Sequence, residues 1–351
     1  MDLHAGMYSY PGALHIHTVY SDGTGTVEHV IEAARNAGLR WIIVTDHNTL
    51  EHQPYEGWHD GVLMIADHEV TPDRNHFLAL NVDQVLDHHL DPQDFVDAAY
   101  GHGGFGVIAH PDERVANSFK DIYRWDDWNV DGPRERHGRA VGIELWNVMS
   151  DWGEHLTPRT KELLFFAPRL GLSGPTPEVL AWWDRLNVAG RRTFGVGGVD
   201  VHAFKRRVPW GEVEVFAYEW MFRTLTNYVL LDAPISTDAN TAMHQIYGAL
   251  AQGRSYFINR LDGDCPTLTF HVARGAERWS IGASPSLSSG PLTLVADTHI
   301  DAEVRVIRNG RIAMKGLRAL RQTITQPGVY RLEGYRKGRP WLYTNPIYIT
   351  E

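Results

Sequence analysis

The sequence predicts an α/β fold followed by a small antiparallel β domain. Three observations carry this. Seven short apolar runs, at 13–17, 41–45, 62–66, 76–80, 105–109, 141–146 and 193–199, alternate with helical patterns. Several runs are apolar on both faces, as expected of parallel strands covered by helices on each side. From about Arg254 onward the helical periodicity stops and only strand-like segments follow. We therefore divide the chain into 1–253 and 254–351. Seven strands with intervening helices fit an α/β barrel or an open α/β sheet, and periodicity does not choose between them.

The elements follow in order. Val27, Val30, Ile31 and Ala34 repeat at helical spacing, and Gly38 is placed to close that helix. Asp91-Pro92 opens a second helix, a cap followed by proline in the first turn. Thr176 caps a third that stops at Gly190. The stretch 111–139 is polar, charged and spiked with aromatic residues, an excursion over the mouth of the fold. Asp238 caps a last amphipathic helix carrying Ala242, Met243, Ile246 and Leu250, which Gly253 ends. Beyond it, strands are expected at 267–272, 292–296, 303–307, 329–332 and 341–349, with a hairpin turn at Asn309-Gly310.

Composition narrows the function classes. The chain has 351 residues, 33 Lys plus Arg against 43 Asp plus Glu, and a net charge of −10. An acidic chain is a poor partner for duplex nucleic acid or an anionic membrane. No run reaches the roughly 18 apolar residues of a membrane span. The first ten residues show no leader pattern, so a cytoplasmic location is expected. A single cysteine, Cys265, excludes an internal disulfide framework and a multi-cysteine metal site. The unusual count is 19 histidines.

Their positions point to metal. His15-Ile16-His17 puts two imidazoles on one face of a strand. Thr45-Asp46-His47 ends a run that is otherwise Trp-Ile-Ile-Val, so Asp46 and His47 are not there for core packing. Glu69 follows the 62–66 run, His110 sits in Ile-Ala-His-Pro, and Asp200-Val201-His202 follows another apolar run. Asp22 and His76 lie close in sequence to these. Each group taken singly reads as a surface or hydrogen-bonded residue. Nine gathered at one end of one fold would be costly to bury unless paired or metallated. The ligands are nitrogen and oxygen only, which suits Zn²⁺, Mn²⁺ or Fe²⁺. His68, His88, His89, His155 and His244 read as surface or supporting groups, and His68 faces away from Glu69 on an extended chain.

The order His-x-His, Ser-Asp-Gly, Thr-Asp-His, Glu, His, Ala-His-Pro, Asp-x-His resembles the PHP (polymerase and histidinol phosphatase) superfamily of metallohydrolases. Glu144–Asn147 and the β-rich tail ending Asn-Pro-Ile-Tyr look like its carbaryl-hydrolase branch. The resemblance implies a distorted (β/α)7 barrel and two or three divalent ions. It implies that His15, His17 and Asp200 hold one ion and that Glu69 bridges it to a second held by His76 and His110. Asp22, His47 and His202 would hold a third, with Asp22 standing where some relatives have histidine. Asp46 is similar to a supporting residue of the family and would orient an imidazole.

Such a centre hydrolyses esters through a metal-bridging hydroxide, and the cations neutralise charge developing on a phosphoryl group. Glu69, His202, His47 and Asp22 are the expected catalytic residues, with His202 or His47 as general acid if the third ion is absent. Arg74 and Lys205 are candidate substrate contacts, the latter opening the basic run Lys205–Arg207. The expected reaction is hydrolysis of a small phosphomonoester or phosphodiester. A carboxyl-ester or carbamate hydrolase would use the same centre, and Trp125, Trp128, Trp146 and Trp152 would give it an apolar wall unless they form the core of the insert. A non-catalytic metal-binding protein is the third reading.

Overall fold

The computed structural model describes residues 6–73, 75–111, 141–209 and 211–351. Arg74, Trp125, Trp128 and most of the excursion at 111–139 therefore lie outside the described residues.

The seven expected runs all contain strands: Tyr8–Leu14, Trp41–His47, Val62–Val70, Phe77–Leu80, Phe105–Ile108, Gly142–Asn147 and Gly195–Gly198. They are neighbours in that order within one large sheet. Not all are parallel. Phe77–Leu80 runs antiparallel to both of its neighbours, because the connection from Val70 is too short to cross back along the sheet. At the far end the chain returns to its beginning. His17 N donates to Val201 O at 3.0 Å and Val199 N to Leu14 O at 3.2 Å, so residues 199–201 lie alongside 14–17.

Local chemistry explains the helices. Thr26 caps Val27–Asn36, whose Val27, Val30, Ile31 and Ala34 are buried against the sheet. Thr176 caps Pro177–Val188 with its hydroxyl accepting from Val179 N. Asp238 does the same for Ala239–Ala251 through Thr241 N. Asp91 precedes Pro92–Gly101 but makes no side-chain capping bond.

The strand Leu225–Leu231, which periodicity did not single out, pairs antiparallel with both Tyr8–Leu14 and Ser255–Asn259. Ser255–Asn259 also pairs with Arg339–Thr344, so the large sheet runs on into the tail without interruption. Alternation makes this strand serve two cores. Phe257 packs among the residues of the amino-terminal core, whereas Tyr256 and Ile258 pack into the tail's own cluster with Leu268, Leu294 and Trp341. A second, four-stranded sheet covers the other side of that cluster. The Asn309-Gly310 turn joins Glu303–Arg308 to Arg311–Leu317, with both turn residues at positive φ, as the tightest hairpins need. No helix among the described residues is long and apolar enough to cross a membrane.

Candidate metal centre

The side chains singled out from sequence come together at one end of the sheet. His15 Nε2 lies 3.3 Å from Glu69 Oε2 and 3.3 Å from Asp200 Oδ1. His17 Nε2 lies 3.4 and 3.2 Å from the same two atoms. The other oxygen of Glu69 faces His76 Nδ1 at 2.9 Å and His110 Nε2 at 3.4 Å. Asp22 Oδ1 lies 3.4 Å from His47 Nε2 and 3.1 Å from His202 Nε2. All nine residues thus join groups whose donor atoms fall within 4.8 Å of one another.

The donors fit divalent cations. His15 Nε2, both ring nitrogens of His17 and Glu69 Oε2 are fully buried yet make no hydrogen bond of acceptable geometry among the described residues. Buried polar atoms left in that state cost free energy unless another partner takes them. Three of these atoms, His15 Nε2, His17 Nε2 and Glu69 Oε2, lie within 3.4 Å of a neighbour in one small volume, and neutral imidazoles with carboxylates are a donor set for Zn²⁺, Mn²⁺ or Fe²⁺.

The electrostatics of the cluster are strongly coupled. Burial opposes protonation of His15, but the carboxylates of Asp200, Glu144 and Glu69 outweigh it and hold its pKa well above the ordinary value. Burial, with His202 and His47 as like charges, drives His17 down to about 4. Partial burial of His47 also opposes its protonation, yet Glu69 and Asp22 raise it to about 10. Burial disfavours the charged forms of Glu69 and Asp200. The surrounding imidazoles, His15 foremost, still keep both well below the usual carboxylate range.

Three of the nine occupy unusual backbone conformations. His15, His110 and Asp200 have φ of 67°, 30° and 52°. Left-handed conformations are uncommon for side chains of this size, and they concentrate at functional sites. They correct one expectation. His15 and His17 do not lie within a regular strand but just past the end of Tyr8–Leu14, and the turn at His15 helps aim the pair. The next loop is held by Asp46, which accepts from Thr18 N at 2.7 Å, Thr18 Oγ1 at 2.6 Å and Ser21 Oγ at 2.5 Å. Asp46 therefore shapes the loop that carries Asp22 and hydrogen-bonds none of the nine. Tyr218 pins the same loop, donating to His17 O at 2.7 Å and accepting from Gly25 N at 3.1 Å.

Other histidines sort as their sequence positions suggest, with one exception. His68 is fully buried rather than a surface group; its Nε2 accepts from Leu86 N at 3.0 Å, away from Glu69. His155 and His244 are exposed. Lys205 is exposed on the hairpin Phe204–Val208 and Gly211–Val215, with its ammonium 3.9 Å from Glu212. Trp146 and Trp152 are buried, and Trp152 packs edge-on against Phe165 and Phe216. They belong to the amino-terminal core. A cavity of about 540 Å³, lined in part by Phe105, Arg192, Tyr247 and Tyr348, contains none of the nine. Phe105 begins the strand that His110 follows, so the cavity opens toward the opposite end of the sheet.

Sequence reasoning missed one residue at the centre. Glu144 is buried in the strand Gly142–Asn147 and accepts from His15 Nδ1 at 2.7 Å. A lone carboxylate in an apolar run is itself a signal, since its desolvation must be compensated.

No curated protein sequence matches the chain. Two solved structures are similar over much of its length. One is a two-domain protein from Bacteroides vulgatus containing a predicted PHP-like metal-dependent phosphoesterase. It is 18% identical, with 99% of this chain and 97% of that chain covered and a TM-score of 0.45. The other is a predicted metal-dependent phosphoesterase from Bifidobacterium adolescentis, 15% identical over 60% of this chain and 94% of that chain, with a TM-score of 0.32. Residues 13–108 match the family model of the PHP domain, and His15, His17, Asp22, His47, Glu69 and His76 all lie within that stretch.

Proposed function

We propose that the protein is a metal-dependent phosphoesterase of the PHP superfamily, acting on a small phosphomonoester or phosphodiester. The observation that carries this reading is the set of buried, unsatisfied nitrogen and oxygen atoms of His15, His17 and Glu69 facing one space. We read the ring of strands, returning from residues 199–201 to 14–17, as a distorted (β/α)7 barrel. Residues 1–253 would carry the chemistry and 254–351 would support it.

Divalent ions bound there supply Lewis acidity toward a phosphoryl oxygen and activate water. The chain's own residues set the rest. His15, His17 and Asp200 would hold one ion and His76 and His110 another, with Glu69 presenting one oxygen to each side. Asp22, His47 and His202 would hold a third. Where they do not, His202 would give a proton to the leaving oxygen, a role supported by Asp22 and Asp200, which raise its pKa against the effect of burial. Clustered cations match an anionic phosphoryl group better than a neutral carbonyl.

Carboxyl-ester or carbamate hydrolysis is the second reading, and one observation favours it. Phe204 is 42% exposed, and its ring lies parallel to that of His202 with centroids 5.2 Å apart, an apolar surface beside the centre. A panel decides between the readings: p-nitrophenyl phosphate, bis-p-nitrophenyl phosphate, p-nitrophenyl acetate and a naphthyl carbamate, each with Zn²⁺, Mn²⁺ and Fe²⁺. We expect two or more equivalents of metal and the highest kcat/KM on a phosphate. Acetate or carbamate turnover exceeding both phosphates by about tenfold, worth ~1.4 kcal/mol of transition-state binding, would transfer the assignment to the second reading.

A further inference from the structure

We propose that Glu144 is a positioning residue that sets three members of the centre at once. The inference rests on reading the nine side chains as metal ligands.

The two oxygens of Glu144 have separate tasks. Oε1 accepts from His15 Nδ1 at 2.7 Å, which leaves His15 Nε2 facing Glu69 and Asp200. Oε2 accepts from the backbone N–H of His110 at 2.7 Å and from Asn147 Nδ2 at 2.9 Å. The same Asn147 amide reaches Asp200 Oδ2 at 3.3 Å. His15, His110 and Asp200 are the three members with positive φ. Strained backbone of this kind persists only where its surroundings over-determine it. One carboxylate, directly or through Asn147, is bonded to all three.

Two further features make room for it. The ladder between Gly142–Asn147 and Gly195–Gly198 shifts register between Glu144 and Trp146, an irregularity of the kind that re-aims a side chain. Gly198 lies against the Glu144 carboxylate, and a Cβ there would fall on its Oε1. The absence of a side chain at 198 is thus a condition for Glu144 to reach His15.

Glutamine cannot replace Glu144. If its oxygen faces His15, its NH₂ confronts the His110 N–H and the Asn147 amide, donor against donor. If the amide flips, His15 Nδ1 must accept, and the His15 proton moves to Nε2, the nitrogen that faces the centre. Partners of this type orient a ligating imidazole, and losing one weakens metal binding by about 10–100-fold.

The test is calorimetric titration of Zn²⁺ into metal-free parent, Glu144→Gln and Gly198→Ala proteins, with the visible spectrum of bound Co²⁺ as a second readout. We expect both variants to bind metal ~10–100-fold more weakly, with an altered Co²⁺ spectrum and unchanged far-ultraviolet circular dichroism. Gly198→Ala acts from a different strand, and it keeps the question open to measurement if Glu144→Gln does not fold. Folded variants matching the parent in affinity, stoichiometry and spectrum would overturn the role of Glu144 while leaving the metal reading intact. A parent that takes up neither Zn²⁺ nor Co²⁺ overturns both.

Discussion

His68 and Glu69 are adjacent, equally buried and chemically different in every respect that matters. Five imidazoles surround the two oxygens of Glu69 within 3.4 Å, whereas His68 turns to the backbone of Leu86. Glu69→Gln removes a charge that the proposed ions share, so kcat/KM should fall by at least ~100-fold. His68→Gln should change kcat/KM by less than about tenfold and act on stability instead, because a flexible amide oxygen must replace the fixed ring nitrogen that accepts from Leu86 N. Assay of both variants at saturating metal compares them directly. Equal losses would place His68 in the centre. Another single-residue effect belongs to the tail. Burial, with Arg278 and Arg321 nearby, lowers the pKa of His271, and neither ring nitrogen has a hydrogen-bond partner among the described residues. The folded protein thus binds fewer protons there than the unfolded chain, so stability falls as pH drops below the unfolded value of about 6.5. The difference in Tm between pH 7.5 and 5.5 should shrink in His271→Gln; an unchanged difference would remove His271 from the account.

At the scale of elements, the helix Pro177–Val188 is tied to the strand Gly328–Arg336 by a buried fork. Arg331 donates from Nε and Nη2 to the two oxygens of Asp184, each at 2.7 Å, and from Nη1 to Glu333 at 2.7 Å. Removing Asp184 leaves the buried Nε and Nη2 donors of Arg331 without an acceptor and Glu333 as its only counter-charge, which costs about 3–5 kcal/mol. Asp184→Ala should lower unfolding free energy by that order in urea titration, with metal content retained. A loss under ~1 kcal/mol would show that water reaches Arg331. The elements also show how far sequence carries. Apolar runs bounded by turn residues located the seven strands, because burial on both faces is written locally. The antiparallel run of Phe77–Leu80 was not legible, since direction depends on the length of one connection and the pairing of both neighbours. The nine clustered residues were legible because polar groups at the ends of apolar strands have few other reasons to be there. Glu144 was not, because its partner His15 lies 129 positions away and its aim depends on an irregular ladder.

The molecule as a whole is stitched along Ser255–Asn259, whose alternate side chains enter two cores. Removing residues 254–351 would strip Leu225–Leu231 of a partner strand and expose Tyr228 and Leu230. We expect a 1–253 fragment to lack cooperative unfolding. In the full chain, near-ultraviolet and far-ultraviolet signals should give one coincident urea transition. Two separated transitions would show that the parts fold independently. The tail also reaches toward the centre: Asn345 accepts from Gly195 N at 2.7 Å and donates to Gly195 O at 2.9 Å, clasping the strand that leads to Asp200. That clasp has a consequence for the order of events during synthesis. Gly195 and Asn345 are 150 positions apart, so a chain still on the ribosome holds every one of the nine residues long before it holds the clasp. On the proposed function, ions captured by that nascent chain would meet a centre whose last strand is not yet fastened. The chemistry of the site is thus encoded early in translation, and its final geometry waits on residues translated much later.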